Sequence, residues 1–214
     1  QMPAYTLHYF DIRGLAETAR QLFALADVKY TDNRIPRDKW EELKKSASMP
    51  FGQIPVLEVD GKKIPQSSAI YRYLAKQFGY AGKTDLEAAW VDAIGDQFKD
   101  YAFELRPFNG VLFGFSEGNK HFGIYEKIVK VPSSSPLTAI EDGKRLNVQD
   151  NGTGYFVGDS ITWAHLLITD HMDVLEGIVP GFFDAFPSML ALKRKVQSEP
   201  KIKEWLEKRP VSKF

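Results

Sequence analysis

Tyr9 stands at the carboxyl end of an alternating segment, Tyr5 to Phe10, that opens within a few residues into a helical pattern. Strand-to-helix openings of this kind are where α/β folds place their chemistry. A phenol keeps its proton at neutral pH and donates a hydrogen bond, so Tyr9 can steady an anion; our reading is a thiolate carried in by a substrate. Gln53-Ile54-Pro55 precedes an apolar strand. Proline inside a central strand loses a ladder bond, so Pro55 is expected at the strand's start. A cis bond there turns the preceding backbone outward, where an extended peptide can pair with it. Gln66-Ser67-Ser68 opens a helix directly after a strand, and free amides at a helix N-terminus bind carboxylates. Trp40 and Lys44 lie one turn apart and can line a pocket and hold a second carboxylate. Asp92, Asp96, Asp100 and Glu104 form an acidic line at four-residue spacing, suited to an ammonium group or a weakly held divalent ion. Singly, each feature also has a plain explanation: a solvent-facing aromatic, a turn proline, a helix cap, a chance pair, a solvated face.

The elements that must position these residues follow from periodicity. Tyr5, Leu7 and Tyr9 share one face of the first strand, with Thr6, His8 and Phe10 on the other. Leu15, Ala19, Leu22, Phe23 and Ala26 form the apolar stripe of a helix. Val28 to Ile35 reads as a strand, Pro36 to Lys45 as a short polar helix, Val56 to Val59 and Lys62 to Ile64 as a hairpin around Asp60-Gly61, and Ser67 to Phe78 as a helix. The order is β-α-β-α-β-β-α. Tyr80 to Lys83 reads as a linker, and Thr84-Asp-Leu-Glu87 as a capping box. Everything after it reads helical: a long helix from Leu86 to Arg106, a bend or break in 107–119, an interruption at 132–136, a buried helix capped by Thr162, and two more near Met189 to Ser198 and Lys201 to Lys208. The fold class is α/β followed by all-α, with domains at 2–80 and 84–214.

Composition narrows the function classes. Lys+Arg and Asp+Glu both number 28 in 214 residues, so there is no electrostatic footprint for nucleic acid or an anionic membrane. With no cysteine, a disulfide framework, a thiolate metal site and a protein-thiol mechanism are all excluded. No apolar run approaches the ~18 residues of a membrane span. The early charges Asp11, Arg13, Glu17 and Arg20 do not suit a signal-peptide core. A cytoplasmic protein is expected.

Read together, these segments resemble a known family. The strings Y-T-L-H-Y-F-D-I-R-G, W-x-x-x-K from Trp40 to Lys44, M-P-F-G-Q-I-P-V-L-E-V-D-G, Q-S-S-A-I-Y-R-Y-L-A, V-D-A-I-G-D, G-D-S-I-T-W-A and K-I-K-E-W-L-E-K-R-P are spread in order over nearly the whole chain. They are similar to cytosolic glutathione transferases of the sigma class, nematode members especially, a class that includes glutathione-dependent prostaglandin D synthases. The resemblance implies a thioredoxin-like N-terminal domain binding glutathione as co-substrate, and a helical C-terminal domain completing the site for small hydrophobic electrophiles. It also implies a homodimer with a role in detoxification and no metal requirement. By position, Tyr9 would be the catalytic tyrosine. Trp40 and Lys44 would hold the glycyl carboxylate, while Gln53 and the Ile54 backbone ahead of Pro55 would pair with the cysteinyl unit. Gln66 and Ser67 would hold the γ-glutamyl carboxylate, and Asp100 of the partner subunit the γ-glutamyl ammonium. Arg13 would support the loop behind Tyr9. Phe10, Leu15, Tyr101, Arg106 and Phe108 are the candidates for the electrophile pocket.

Three positions depart from the family pattern. Leu15 replaces the arginine that vertebrate prostaglandin D synthases carry after R-G. Lys99 followed by Asp100 replaces their adjacent acidic pair, which weakens metal activation. His165 replaces the usual aspartate of T-x-A-D, which weakens the reciprocal half of that cap. The leading expectation is conjugation of glutathione, with isomerisation of prostaglandin H2 as the enzymatic alternative. A non-catalytic ligand-binding or structural relative is the third reading. Such relatives tend to lose the glutathione contacts, whereas here each is matched.

Overall fold

The computed structural model describes residues 3–46, 48–112 and 152–212, with backbone alone for 104 and 106–112. In chain order the described elements are β1 Tyr5–Phe10, α1 Glu17–Ala26, β2 Thr31–Ile35, α2 Trp40–Leu43, β3 Val56–Val59, β4 Lys62–Pro65, α3 Ser67–Phe78, α4 Asp85–Leu112, α5 Trp163–Ile178, α6 Pro187–Gln197 and α7 Pro200–Lys208. Contacts divide them into two compact units, Gln1–Tyr80 with Glu199–Phe214, and Ala81–Ser198.

In the first unit the sheet order is β2-β1-β3-β4. β1 pairs with β2 in parallel and with β3 antiparallel, and β3 pairs with β4 antiparallel. Parallel neighbours need a crossover, and α1 supplies it. The alternation of β1 is realised: Tyr5, Leu7 and Tyr9 are buried while Thr6, His8 and Phe10 are half-buried. Tyr5 meets Phe23 of α1 and Phe78 of α3 edge-on, with ring centroids 5.3 and 6.0 Å apart. Both helices therefore cover that face of the sheet. β2 begins at Thr31 rather than Val28, because Tyr30 stacks on Phe23 at 4.1 Å and is drawn toward α1. This mixed sheet with its covering helices is a thioredoxin-like domain, and the second unit is helical in its described residues.

α4 starts as expected at Thr84, whose Oγ1 accepts from Glu87 N–H at 3.1 Å. The returning Glu87 carboxylate takes the Lys83 amide at 2.6 Å, one residue earlier than a standard capping box. The helix then runs unbroken through position 107 to Leu112. A proline there forfeits one backbone bond without ending the helix, so no break falls at 107–112; the expectations for 113–136 fall outside the described residues. α4 and α5 approach closely at Gly95, where a Cβ would sit 1.9 Å from the Trp163 ring. The sequence reading counts 199–214 with the helical domain. By contacts the segment groups with the first unit, because Trp205 and Arg209 bond to Glu17 of α1.

Candidate active site

The end of β1 builds the centre of the site. After Phe10 the chain turns through Asp11 to Arg13, makes one 3-10 turn at Gly14–Ala16, and enters α1. Gly14 holds φ +41°, and a Cβ on it would lie 2.7 Å from Tyr9 Oη. Both the backbone and the close approach require glycine. The next residue completes the arrangement: Leu15 N–H donates to Tyr9 Oη at 3.1 Å. Tyr9 is 7% exposed, so it is not the solvent-facing aromatic of the plain reading. Burial pushes its phenol above the ordinary range, against the pull of the Leu15 N–H and the Arg20 and Arg37 charges. The group is a neutral hydroxyl at physiological pH, with one lone pair engaged from behind and its own hydrogen left to donate.

The neighbouring candidates gather along the same edge. Phe10 lies edge-on to Trp40, centroids 5.5 Å apart, with the Arg37 guanidinium 5.2 Å from the Phe10 ring centre. Trp40, Leu43 and Ile54 pack on Ile35, Met49 and Val56. Lys44 caps α2 and is paired with Glu41 at 2.7 Å. The Ile54–Pro55 bond is cis and Pro55 immediately precedes β3, as the sequence reading expects. Register pairs His8 with Val56, which brings Tyr9 level with Pro55. Gln66 Nε2 donates to Gln53 Oε1 at 2.9 Å, tying the segment before β3 to the start of α3. Gln66 holds φ 73°, ψ 118° ahead of Ser67, the first residue of α3. Tyr9, Phe10, Trp40, Gln53, Ile54, Pro55, Gln66 and Ser67 are therefore close neighbours in one unit.

The other candidates include four on the helical unit. Asp100 is exposed on α4. Tyr101 is buried within the helical unit, its hydroxyl 3.0 Å from His171 Nε2 and its ring against Phe98. Tyr101 thus packs and hydrogen-bonds within the described part of the helical unit. Arg106 and Phe108 lie on α4, with side chains outside the described residues. Leu15 is 47% exposed. It belongs to the 3-10 turn, so the helical stripe does not fix its direction, and its backbone is the part that touches Tyr9. Among the described residues, no group of three or more metal-ligating side chains comes together.

The sequence reading missed the polar network behind Tyr9. Glu17 and Arg20 are fully buried. Glu17 Oε1 accepts from Trp205 Nε1 at 2.7 Å and Arg209 Nη1 at 2.9 Å. Arg20 reaches Glu17 at 3.5 Å and Asp32 at 3.2 Å, and its Nη1 donates to the Ile12 carbonyl at 2.7 Å. Arg34 continues the chain of charges to Asp32 and Asp11. Arg13, expected to support this loop, holds it through its backbone: its N–H donates to Ser212 Oγ at 3.3 Å and its carbonyl accepts from Arg20 Nη1 at 3.4 Å. The available signal was the spacing of Glu17 and Arg20, one turn apart beside the apolar stripe.

Residues 5–76 match the glutathione S-transferase N-terminal domain, and residues 117–209 its C-terminal domain. Glutathione S-transferase 1 of Ascaris suum is 46% identical over the whole of both chains. Among solved structures, monomeric Na-GST-3 of Necator americanus is 43% identical, with a TM-score of 0.86, covering 99% of this chain and 100% of that one. A Nu-class transferase of Haemonchus contortus is 43% identical, TM-score 0.81, with full coverage of both chains. Prostaglandin synthase D of Nilaparvata lugens is 33% identical, TM-score 0.79, covering 98% and 100%. A buried tyrosine hydroxyl at the end of β1, a cis proline before β3 and end-to-end similarity to these proteins agree, and the chain belongs to the glutathione S-transferase family.

Proposed function

We propose that this protein conjugates the thiolate of glutathione to small hydrophobic electrophiles, with the Tyr9 hydroxyl donating to the sulfur. The observation that carries this reading is the Leu15 N–H on Tyr9 Oη, which leaves the phenol hydrogen for an incoming group. The thiolate, not the thiol, is the nucleophile. Lowering a thiol pKa by ~2 units takes about 2.7 kcal/mol, within reach of one strong charge-assisted hydrogen bond helped by its surroundings. Holding both reactants side by side contributes further.

In this reading Trp40 and Lys44 hold the glycyl carboxylate, with Lys44 leaving Glu41 to do so. Gln53 and the Ile54 backbone ahead of Pro55 pair with the cysteinyl unit. Gln66 and Ser67 hold the γ-glutamyl carboxylate, and Asp100 of the partner subunit meets the ammonium. Phe10 and Leu15 offer apolar surface to the electrophile, with Arg106 and Phe108 as further candidates from the family resemblance, while the Tyr101 hydroxyl is engaged with His171. A homodimer belongs to the proposal, on the family resemblance; in it the exposed Phe51 ring is a residue that a second copy would cover. The proposed setting is the cytoplasm. The motifs resemble those of the sigma class, which includes the prostaglandin synthases, while the higher identity to the Nu-class structure supports a nematode-type transferase.

Tyr9→Phe keeps the ring and removes the donor. It is expected to lower conjugation of an aryl halide near neutral pH by up to about a hundredfold, the thiolate fraction that two pKa units represent, while the variant still binds glutathione-agarose. Full activity in Tyr9→Phe sinks the assignment. The likeness to a prostaglandin synthase D supports a second reading, isomerisation of prostaglandin H2 by the same thiolate, and analysis of products from that substrate decides between them.

A further inference from the structure

Tyr71 lies in α3, 1% exposed, and like Leu22, Phe23, Ile70 and Leu74 belongs to the buried residues of the first unit. Phenylalanine would fill such a place without burying a hydroxyl, and a buried hydroxyl must find a partner. Tyr71 O–H donates to the carbonyl of Leu15. Leu15 is the residue whose N–H donates to Tyr9 Oη. Both backbone groups of one residue are thus held between two phenols, that of Tyr9 and that of Tyr71. On the other side of the turn, Arg20 Nη1 holds the Ile12 carbonyl, so the segment 12–15 is fixed from α1 and from α3.

We propose that Tyr71 is a positioning residue for Tyr9: it holds the Leu15 backbone where its amide meets Tyr9 Oη, and so sets how strongly the Tyr9 hydroxyl donates to the sulfur. The inference rests on the reading of Tyr9 as the thiolate's donor. The physical reason is directional. A hydrogen bond weakens steeply as its angle closes, and an amide held on the phenol oxygen polarises the O–H it faces away from. Releasing the Leu15 carbonyl lets the 3-10 turn relax and the amide swing off axis. Tyr9 then donates less strongly, with the ring itself undisturbed.

The test is Tyr71→Phe, which keeps the core packing, compared with wild type and Tyr9→Phe. The ultraviolet absorption of the bound thiolate is titrated against pH, and kcat/KM is followed over the same range. The expected result for Tyr71→Phe is a bound-thiol pKa moved upward, a rate lowered about threefold to tenfold near neutral pH that recovers at higher pH, and unchanged affinity for glutathione. Tyr71→Met, which fills similar space without a donor, is read in the same way if Tyr71→Phe does not fold. A purely structural role lowers the thermal midpoint and leaves the thiolate titration where it was; that outcome overturns the proposal. If the titration shifts in Tyr9→Phe but not in Tyr71→Phe, the role of Tyr9 stands and that of Tyr71 falls. If Tyr9→Phe leaves the titration unmoved, both fall together.

Discussion

The turn behind Tyr9 and the first turn of α5 both bury polar groups almost completely, but in opposite electrical states. Behind Tyr9 the buried groups are ionic: Glu17 and Arg20 neutralise one another and are joined by Arg209 and Asp32. At α5 they are neutral. His165 Nδ1 faces the Thr162 amide at 2.9 Å and Nε2 faces the Phe156 amide at 2.8 Å. A neutral imidazole has one acceptor nitrogen, so only one of those contacts is a full hydrogen bond, and a second proton would set the ring against both donors. Burial, with the Lys195 charge adding to it, lowers the His165 pKa to about 3. The capping box survives the replacement of the usual aspartate, but as a neutral cap. The lesson is that the site's surroundings are held by charge balance, while the first turn of α5 is held by shape and uncharged hydrogen bonds.

The comparison can be broken most forcefully at Arg20. Arg20→Met removes one partner of a buried ion pair and is expected to cost about 3–5 kcal/mol, measured by urea denaturation. A loss below about 1 kcal/mol would mean that charge does not hold this turn. On the other side of the comparison, Gly95→Ala places a methyl against the Trp163 ring with nowhere to go. Overpacking of that kind costs about 1–3 kcal/mol and should show the same loss in low and high salt, in contrast to a change in the ionic network. The smallest effect lies in the pH profile. The native His165 pKa is below the unfolded value of about 6.5, so its contribution is intact above that pH. It is lost as pH falls toward about 3, by at most about 1.4 kcal/mol per pH unit. Denaturation midpoints of His165→Asn, which keeps an acceptor and does not ionise, should fall less steeply than wild type across that window. Parallel profiles would show that the cap is not held neutral.

Much of the architecture was legible because it follows from period alone. The alternation of Tyr5 to Phe10 and the stripe of Ala19, Leu22 and Phe23 in α1 each record which face is buried, and burial is what built those elements. The cis proline was legible because few other sites suit that residue. Glu17 and Arg20 were not: a charged pair one turn apart reads as a solvated face, and its burial depends on partners at Asp32, Trp205 and Arg209. Tyr71 falls within the helix expected over Ser67 to Phe78, yet nothing in a periodicity names the carbonyl its hydroxyl meets. Leu15 was placed on a helical stripe because the intervening 3-10 turn, created by the Gly14 backbone, leaves no trace in the pattern. Pro107 looked like a breaker because the packing around a helix does not show in its own sequence.

The bonds from Trp205 and Arg209 to Glu17 span 188 and 192 positions. During synthesis Glu17 emerges long before either of them, with the whole helical unit still to be made. The sheet of the first unit can pair early, but its most deeply buried carboxylate waits for α7, the last of the described helices, to arrive. Contacts of such separation slow folding, and the first unit cannot complete its buried network until the chain beyond the helical unit has been made.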